Sequence, residues 1–285
     1  MNKIVATICA ATFTMSSAVS AQDRFSNVNI QSKALEGSVH MLTGQGGNIG
    51  VSAGEDGVLI IDDQFEPLAE KISMALDKLG SDKPQFIINT HFHGDHTGSN
   101  AWFHSNKQST ILAHENVRIR LKKDDKTNQA ALPVLTYQDG IKLHFNNETL
   151  HIWHLGNGHT DGDSVIWFEE PNVLHTGDLF FNERFPFIDL KSGGSVDGYI
   201  KAVRSLLGKI DDDTVIIPGH GPLADKADYK AFLSMIEATR DIVNKHKQNG
   251  MTVEEIVDTG LGEKFTSWSW GFINEEKWIR TLYNG

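Results

Sequence analysis

The chain has 285 residues, of which 39% are apolar and 22% are charged, and this composition excludes disordered and collagen-like proteins. Its net charge of −11 argues against a nucleic-acid partner, because nucleic-acid-binding proteins usually present a basic stripe. No Pro/Ser-rich linker and no repeat of fixed period divides the chain. We therefore expect one large domain, and the sequence leaves its oligomeric state open.

The first 21 residues differ in composition from the rest of the chain. Lys3 precedes an apolar stretch, acidic residues are absent, and the segment ends in the small-residue pattern VSA. This pattern predicts a signal peptide over residues 1–21 and a periplasmic or secreted protein. A cytosolic N-terminal helix is the alternative interpretation. The apolar stretch is too short for a membrane anchor, so we expect no stable membrane insertion after cleavage.

Cysteine usage limits the chemistry of the mature chain, residues 22–285. The single cysteine, Cys9, lies in the predicted signal peptide. The mature chain therefore has no thiol and forms no disulfide, and any bound metal must be held by histidine and carboxylate.

Strand and helix patterns alternate along the mature chain. Short apolar runs predict buried strands, and apolar residues at helical spacing predict amphipathic helices. Strands are predicted at 58–61, 85–89, 141–145, 149–153, 164–168, 173–176 and 214–217, and helices at 67–79, 196–210, 226–247, 253–261 and 274–282. This order favours an α/β (α+β) fold in which two packed sheets are covered by helices.

A histidine-rich segment, THFHGDHTG, directly follows one of the predicted strands. Side chains alternate along an extended chain, so His91 and His93 can point the same way. Gly94 allows a sharp turn, which can present Asp95 and His96 beside that pair. Four potential ligands at one strand end suit two metal ions better than one. Imidazole with carboxylate suits zinc, with manganese or iron possible.

Three further motifs stand at or beside predicted strand ends. His159 lies in the glycine-flanked loop GHTDGD, Asp178 ends the motif TGD, and His220 lies in PGHG. Each is a weak signal alone, since a lone Asp at a strand end is usually a turn residue. In combination and in this order, the four motifs indicate one metal centre.

These motifs, with the strand sequence VLIIDD, resemble the metallo-β-lactamase superfamily over nearly all of the mature chain. The resemblance implies a four-layer αβ/βα sandwich with two Zn²⁺ ions at one edge. It also implies the ligands: His91, His93 and His159 for one zinc, Asp95, His96 and His220 for the other, and Asp178 as the bridge.

The implied activity is that of an exported zinc hydrolase acting on a small molecule. A metal-bound hydroxide, available because zinc lowers the pKa of its water to about 7, would cleave a β-lactam, a lactone or another ester or amide. Asp95 is the predicted catalytic residue, which orients the nucleophile and handles its proton. Asp62, Asp63 and Asp163 are candidate hydrogen-bond partners of the ligand imidazoles, or else turn residues.

Two departures from one branch of the family bear on the substrate. Asp178 stands where the β-lactamases with a cysteine ligand carry sulfur, and Phe181 stands where they tend to carry lysine. The ligand set resembles glyoxalase II-like and lactonase-like members instead. The aromatic segment 180–189 is predicted to line an apolar substrate pocket, with core packing as the alternative. Its candidate substrate-binding residues, with one neighbour, are Phe181, Arg184, Phe185 and Lys191.

Several interpretations stay open from the sequence. Residues 44–47 form either a mobile flap over the site or a hairpin turn, and Trp268 and Trp270 either close the site or pack on the C-terminal helices. A glyoxalase II-like thioester hydrolase and a non-catalytic zinc-binding or redox-relay protein are alternative functions. His93 argues against a di-iron oxidoreductase, which usually has Glu there, and the acidic charge argues against a nuclease.

Overall fold

The structure is a computed structural model that describes residues 21–285. Apart from Ala21, the predicted signal peptide lies outside the described residues. Within the described range, no helix combines the length and the apolar character needed to cross a membrane.

The first sheet contains seven strands in chain order. Neighbours are antiparallel from the first strand to the fourth and parallel from the fourth to the seventh. The strands are β1 (Gln31–Ala34), β2 (Val39–Thr43), β3 (Ile49–Gly54), β4 (Gly57–Ile61), β5 (Pro84–Asn89), β6 (Thr110–His114) and β7 (Leu135–Tyr137).

The second sheet contains β8 (Gly140–Phe145), β9 (Glu148–His154), β10 (Ser164–Phe168), β11 (Val173–His175) and β12 (Val215–Ile217). Each strand lies beside the strands that precede and follow it in the chain. Neighbours are antiparallel except for β11 and β12, which are parallel. The carboxyl ends of these two strands therefore meet at the same edge of the sheet.

The helices are α1 (Ala21–Ser26), α2 (Ala69–Asp77), α3 (Gly94–Thr97), α4 (Asn100–Lys107), α5 (Glu115–Lys123), α6 (Val196–Leu207), α7 (Lys226–Gln248), α8 (Val253–Thr259) and α9 (Glu275–Asn284). Single turns of 3-10 helix include 177–179, after β11, and 190–192, before α6. Each strand and helix predicted from the sequence is present, with its ends shifted by three residues or fewer.

Alternating side chains along the strands produce the layers. In β4, Ile60 packs in a cluster with residues of α2 and α4, whereas Leu59 packs in the cluster between the two sheets. In β10, Ile166 faces the first sheet, whereas Val165 packs with residues of α6, α7 and α9. Both faces of each sheet are thus covered, which explains the continuous apolar runs in the central strands. The predicted four-layer αβ/βα sandwich is confirmed.

Candidate metal centre

The predicted ligands lie where loops leave one edge of the two sheets. The segment that contains His91 to His96 follows β5, Asp178 follows β11 and His220 follows β12. His159 lies in the connection between β9 and β10. The structure brings all seven predicted ligands together in two adjacent groups.

The first group comprises His91, His93, His159 and Asp178, whose ligand atoms lie within 4.8 Å of one another. Nδ1 of His93 lies 2.9 Å from Nε2 of His159. Oδ2 of Asp178 lies 3.3 Å from Nε2 of His159 and 3.7 Å from Nε2 of His91. Tetrahedral ligands at about 2.0–2.1 Å from zinc are roughly 3.3 Å apart, so these spacings suit one ion.

The second group comprises Asp95, His96 and His220. Oδ2 of Asp95 lies 3.4 Å from Nε2 of His220 and 3.7 Å from Nε2 of His96. Oδ1 of Asp178 lies 3.2 Å from Nε2 of His96 and 3.3 Å from Nε2 of His220. The two oxygens of Asp178 therefore face different groups, which is the arrangement that a bridging carboxylate requires.

Two buried polar atoms of the predicted ligands lack a hydrogen-bond partner. They are Nε2 of His91 and Oδ1 of Asp178, on side chains with exposed fractions of 1% and 5%. Buried polar groups are almost always hydrogen-bonded, so these atoms indicate a missing partner. Because one is an imidazole nitrogen and the other a carboxylate oxygen, a divalent cation fits both.

The protonation states of the first group favour a cation as well. Burial lowers the pKa of His91 well below its usual range and that of His159 to about 4, so each ring is neutral at pH 7 and keeps a lone pair for a metal. Burial alone would raise the pKa of Asp178, but the charges of the neighbouring imidazoles, foremost those of His220 and His96, hold it well below its usual range. The bridging position is therefore anionic.

Hydrogen bonds on the outer side of the rings fix their orientation. Nδ1 of His96 bonds to Oδ2 of Asp62 at 2.7 Å, so this predicted partner contacts a ligand ring. Asp63 instead accepts from the backbone N–H of Ser99, and Asp163 from that of Thr160, so both hold turns.

Three outer partners were not predicted from the sequence. Thr90 Oγ1 lies 3.0 Å from Nδ1 of His91, and Asp189 Oδ2 lies 3.2 Å from Nε2 of His93. Nδ1 of His159 bonds to a backbone carbonyl of the segment 180–189, at a distance of 2.7 Å. Because its Nε2 is held by Asp189, His93 presents Nδ1 to the metal group. Such partners fix the ring orientation and tautomer of metal-binding histidines.

The role predicted for Gly94 is corrected by the structure. This residue is not among the glycines with positive φ, and it begins the helical turn of α3. The turn itself therefore presents Asp95 and His96, without unusual backbone at Gly94. A Cβ at this position would have no heavy atom within 4 Å, so the missing side chain leaves open space beside the ligands.

A cavity of about 660 Å³ opens onto both ligand groups. Of the predicted substrate-binding residues, Phe181 and Arg184 line it, and so do Trp270 and two glycines of the loop between β2 and β3, Gly44 and Gly46. The remaining lining residues are Arg24, Gln45, Phe65, His93, Gly94, Asp95, Asp178, Phe187, His220 and Phe272. Arg24 and Phe272 lie far from the motifs in the chain, and no sequence signal singled out these two residues or Phe65.

Two predicted substrate-binding residues lie outside this cavity. Phe185 is fully buried and stacks on Trp278 with ring centroids 5.8 Å apart, so it belongs to the core. Lys191 is exposed on the 3-10 turn at 190–192 and does not line the cavity. Trp268 packs on Phe232 at 6.4 Å and is also absent from the lining. Because Phe185 and Trp268 pack against other side chains of the core, neither lines the pocket.

The loop between β2 and β3 is a tight connection packed on the metal motif. Ile49 pairs with Leu42 across the hairpin. The backbone N–H of Gly47 donates to the carbonyl of Asp95 at 3.1 Å. Gly44 and Gly46 line the cavity, so this hairpin turn also forms part of the cavity wall.

The fold and the site together define a metallo-hydrolase with a centre of histidine and aspartate ligands for a divalent metal. The chain belongs to the metallo-beta-lactamase superfamily, whose family profile matches residues 42–220.

Curated relatives agree with this assignment. The chain is 28% identical over 165 residues to Metallo-beta-lactamase IND-1 of Chryseobacterium indologenes, a match that covers 58% of this chain and 67% of the relative. It is 27% identical over 159 residues to a Hydroxyacylglutathione hydrolase of Polaromonas sp., which covers 55% of this chain and 56% of that protein. The matched segments thus span about two thirds of these relatives' length or less.

Solved structures share the fold. A metallo-beta-lactamase from Pontibacter korlensis superposes with a TM-score of 0.64 over 73% of this chain and 99% of that protein. The sequence identity is 17%, so this likeness concerns the sandwich architecture.

Proposed function

We propose that the protein is an exported dinuclear zinc hydrolase that cleaves a carbonyl–heteroatom bond, with β-lactam and lactone rings as its first candidate substrates. The placement of Asp178 carries the proposal. Its two carboxylate oxygens face two separate groups of ligand atoms, at 3.3 Å and 3.2 Å from the nearest imidazole nitrogens. A carboxylate in this position suits two cations side by side.

The donor set supports zinc. Five imidazoles and two carboxylates, without sulfur, match the nitrogen and oxygen ligands that zinc accepts. Bound there, two zinc ions would supply an activated water at neutral pH and a Lewis acid for the substrate carbonyl.

Asp95 is the residue of the chain that we assign to proton handling. Its side chain is 26% exposed, against 5% or less for its neighbours His96 and Asp178, and it lines the cavity. One oxygen lies toward the imidazoles of the second group. This carboxylate can therefore orient an attacking water and accept its proton while substrate occupies the cavity.

Aromatic side chains would bind the apolar part of the substrate and exclude water from the reacting centre. Phe181 stacks on the ring of His220 with centroids 5.0 Å apart. Phe187 lies 5.7 Å from the ring of His93. Both line the cavity beside the ligands, where a low dielectric strengthens electrostatic interactions with the developing oxyanion.

Export is proposed from the N-terminal pattern of residues 1–21. Expression of the full chain in a Gram-negative host, followed by periplasmic extraction and N-terminal sequencing, tests it. We expect periplasmic protein that begins at Gln22. Cytoplasmic protein that retains Met1 would contradict export without affecting the proposed chemistry.

Metal analysis and a substrate panel test the chemistry. The purified protein should contain close to two zinc ions per chain and should hydrolyse at least one of nitrocefin, a lactone and a nitrophenyl ester. Asp95→Asn should lose about 10²–10⁴-fold of that activity, as expected for a general base. One metal per chain, or full activity of the variant, would reject the scheme.

A thioester hydrolase is the second candidate. The ligand set without cysteine favours it, as does the similarity to a Hydroxyacylglutathione hydrolase. S-lactoylglutathione therefore belongs in the same panel, and a preference for it would select this alternative. If the zinc-loaded protein hydrolyses none of the four compounds, a non-catalytic metal-binding role is favoured instead.

A further inference from the structure

The second ligand group is assembled from both halves of the sandwich. Asp95 and His96 follow a strand of the first sheet, whereas Asp178 and His220 follow strands of the second. Nε2 of His96 lies 3.4 Å from Nε2 of His220, so rings that belong to different sheets come into contact here. The spacing of this group therefore depends on how the two sheets are held together at this edge.

One residue of the turn between β2 and β3 holds the loop of His220. The amide of Asn48 donates to the carbonyls of Pro218 and Gly221 at 2.8 and 2.9 Å. Its backbone N–H donates to the carbonyl of Gly219 at 2.8 Å. The side chain is buried. A single residue of the first sheet thus fixes the chain on both sides of a ligand that belongs to the second sheet.

The backbone carbonyl of Asn48 extends this contact toward the bridging carboxylate. It accepts from Nε2 of His175 at 3.1 Å, and Nδ1 of the same ring accepts from the backbone N–H of Gly177 at 3.2 Å. Burial lowers the pKa of His175, so the ring is neutral and donates at one nitrogen while it accepts at the other. Because Gly177 directly precedes Asp178, Asn48 is linked to both ligands from the second sheet.

The loop of His220 and the bridging carboxylate form one packed unit. A Cβ at Gly219 would stand 2.1 Å from Oδ1 of Asp178, and the backbone N–H of Gly219 donates to the carbonyl of Gly177 at 2.8 Å. A shift of this loop relative to the first sheet would therefore move His220 and Asp178 together. Both would then change their distances to His96.

We infer that Asn48 is a positioning residue that sets the spacing of the second ligand group and thereby determines how firmly the second metal ion is retained. This inference rests on the proposed dinuclear function. The imidazoles of the first group are held by other contacts, among them the one between Asp189 and His93. Loss of the Asn48 bonds should therefore release the second ion before the first.

Asn146 offers a matched control at the other end of β3. Its amide also joins the two sheets, because it donates from the turn between β8 and β9 to Oγ of Ser52 and to the carbonyl of Gly57, at 2.8 and 3.2 Å. Its exposed fraction of 8% is close to the 6% of Asn48. It packs on Gly54, where β3 ends, whereas Asn48 directly precedes that strand.

The test replaces each asparagine by aspartate, which keeps the size of the side chain and cannot donate to two carbonyls. The zinc-loaded proteins are titrated with a chelating dye that reports the zinc released. In Asn48→Asp, one of the two ions should be held about 10- to 100-fold more weakly, the range for outer partners of metal ligands, and the other should be held as before. Asn146→Asp should melt at a lower temperature and release both ions as the unmodified chain does.

NMR of the ring nitrogens identifies which ion is lost. When one zinc per chain remains in Asn48→Asp, His96 and His220 should show the shifts of metal-free imidazole. His91 and His93 should keep the shifts of the zinc-bound state. Loss of the ion from the first group instead would overturn the inference.

His175→Phe gives a second variant, which keeps a ring in the buried position and removes both of its hydrogen bonds. It should weaken retention of the same ion, and it decides the question if Asn48→Asp does not fold. Unaltered zinc release in these variants, or equal loss in Asn48→Asp and Asn146→Asp, would reject the inference and leave the dinuclear function intact. A single zinc in the unmodified protein would reject both.

Discussion

Gly47 lies directly against the imidazole of His96, with no room for a side chain between them. A Cβ built on Gly47 would stand 2.2 Å from Cε1 and 2.6 Å from Nε2 of that ring. Nε2 is the atom that His96 contributes to the second ligand group, and it lies 3.2 Å from Oδ1 of Asp178. Since such a contact cannot be tolerated, His96 can occupy its position only if a glycine stands at this hairpin turn, three strands earlier in the chain.

The substitution Gly47→Ala should therefore displace His96 and weaken the second metal site. We expect metal analysis after dialysis against a mild chelator to show about one zinc per chain instead of two. Gly94→Ala is the matched control, because its Cβ would meet nothing within 4 Å. Two zinc ions retained in Gly47→Ala would contradict the steric argument.

Two buried tyrosines allow a paired test of the bridging carboxylate. The hydroxyl of Tyr199 donates to the backbone carbonyl of Asp178 at 2.8 Å, and that of Tyr229 to the carbonyl of Leu179 at 3.1 Å. Replacing either by Phe removes one buried hydrogen bond and should lower the free energy of unfolding by about 1–3 kcal/mol. Only Tyr199→Phe should also weaken zinc binding, as measured by competition with a chelating dye. Equal metal affinities would show that the Tyr199 contact is purely structural.

Asp189 should tune the first metal group through His93. Its carboxylate contacts Nε2 of the ring on the side away from the site. Asp189→Ala should lower zinc affinity about 10- to 100-fold, the range seen when outer partners of metal ligands are removed. Asp189→Asn, which keeps an oxygen for the ring N–H, should recover part of the loss. If the two variants bind zinc equally, the contact does not orient His93.

Lys71 should determine whether the N-terminal segment stays docked. Because one ammonium serves three carbonyls, Lys71→Met removes every bond of that group at once. Hydrogen exchange at residues 25–28 should become at least about tenfold faster, which corresponds to about 1.4 kcal/mol of local stability. Lys78→Met, an exposed change at the end of the same helix, should leave the exchange unaltered, and unaltered exchange in Lys71→Met would show that other contacts hold the segment.

The sequence predicts all five strands of the second sheet but only β4 and β5 of the first. The central residues of β4 and β5 are covered on both faces, so each strand contains a short apolar run. All four residues of β1 are exposed, so no pattern marks it. Missed elements between 100 and 137 include α4, whose C-cap Gln108 has a positive φ of 64° in place of the usual glycine signal.

The metal ligands could be predicted because each lies in a local motif beside a strand. The surrounding contacts could not. Asp189 contacts His93 although 96 positions of the chain separate them. Arg24 contacts Phe65 although strands β1 to β4 lie between them in the chain. Such contacts depend on how distant loops pack, whereas periodicity reports only on a residue's near neighbours. Phe185 shows the converse error, since an aromatic residue beside a site motif proved to be a core residue.

The segment 180–189 forms part of the cavity wall and also makes hydrogen bonds to two of the metal ligands. Arg184 and Phe187 line the cavity, while the carbonyl of Phe187 holds His159 and the carboxylate of Asp189 holds His93. A substitution that changes the shape of this segment alters the cavity wall and, through these two contacts, the orientation of His93 and His159. Cavity shape and metal affinity therefore cannot be altered independently through this loop.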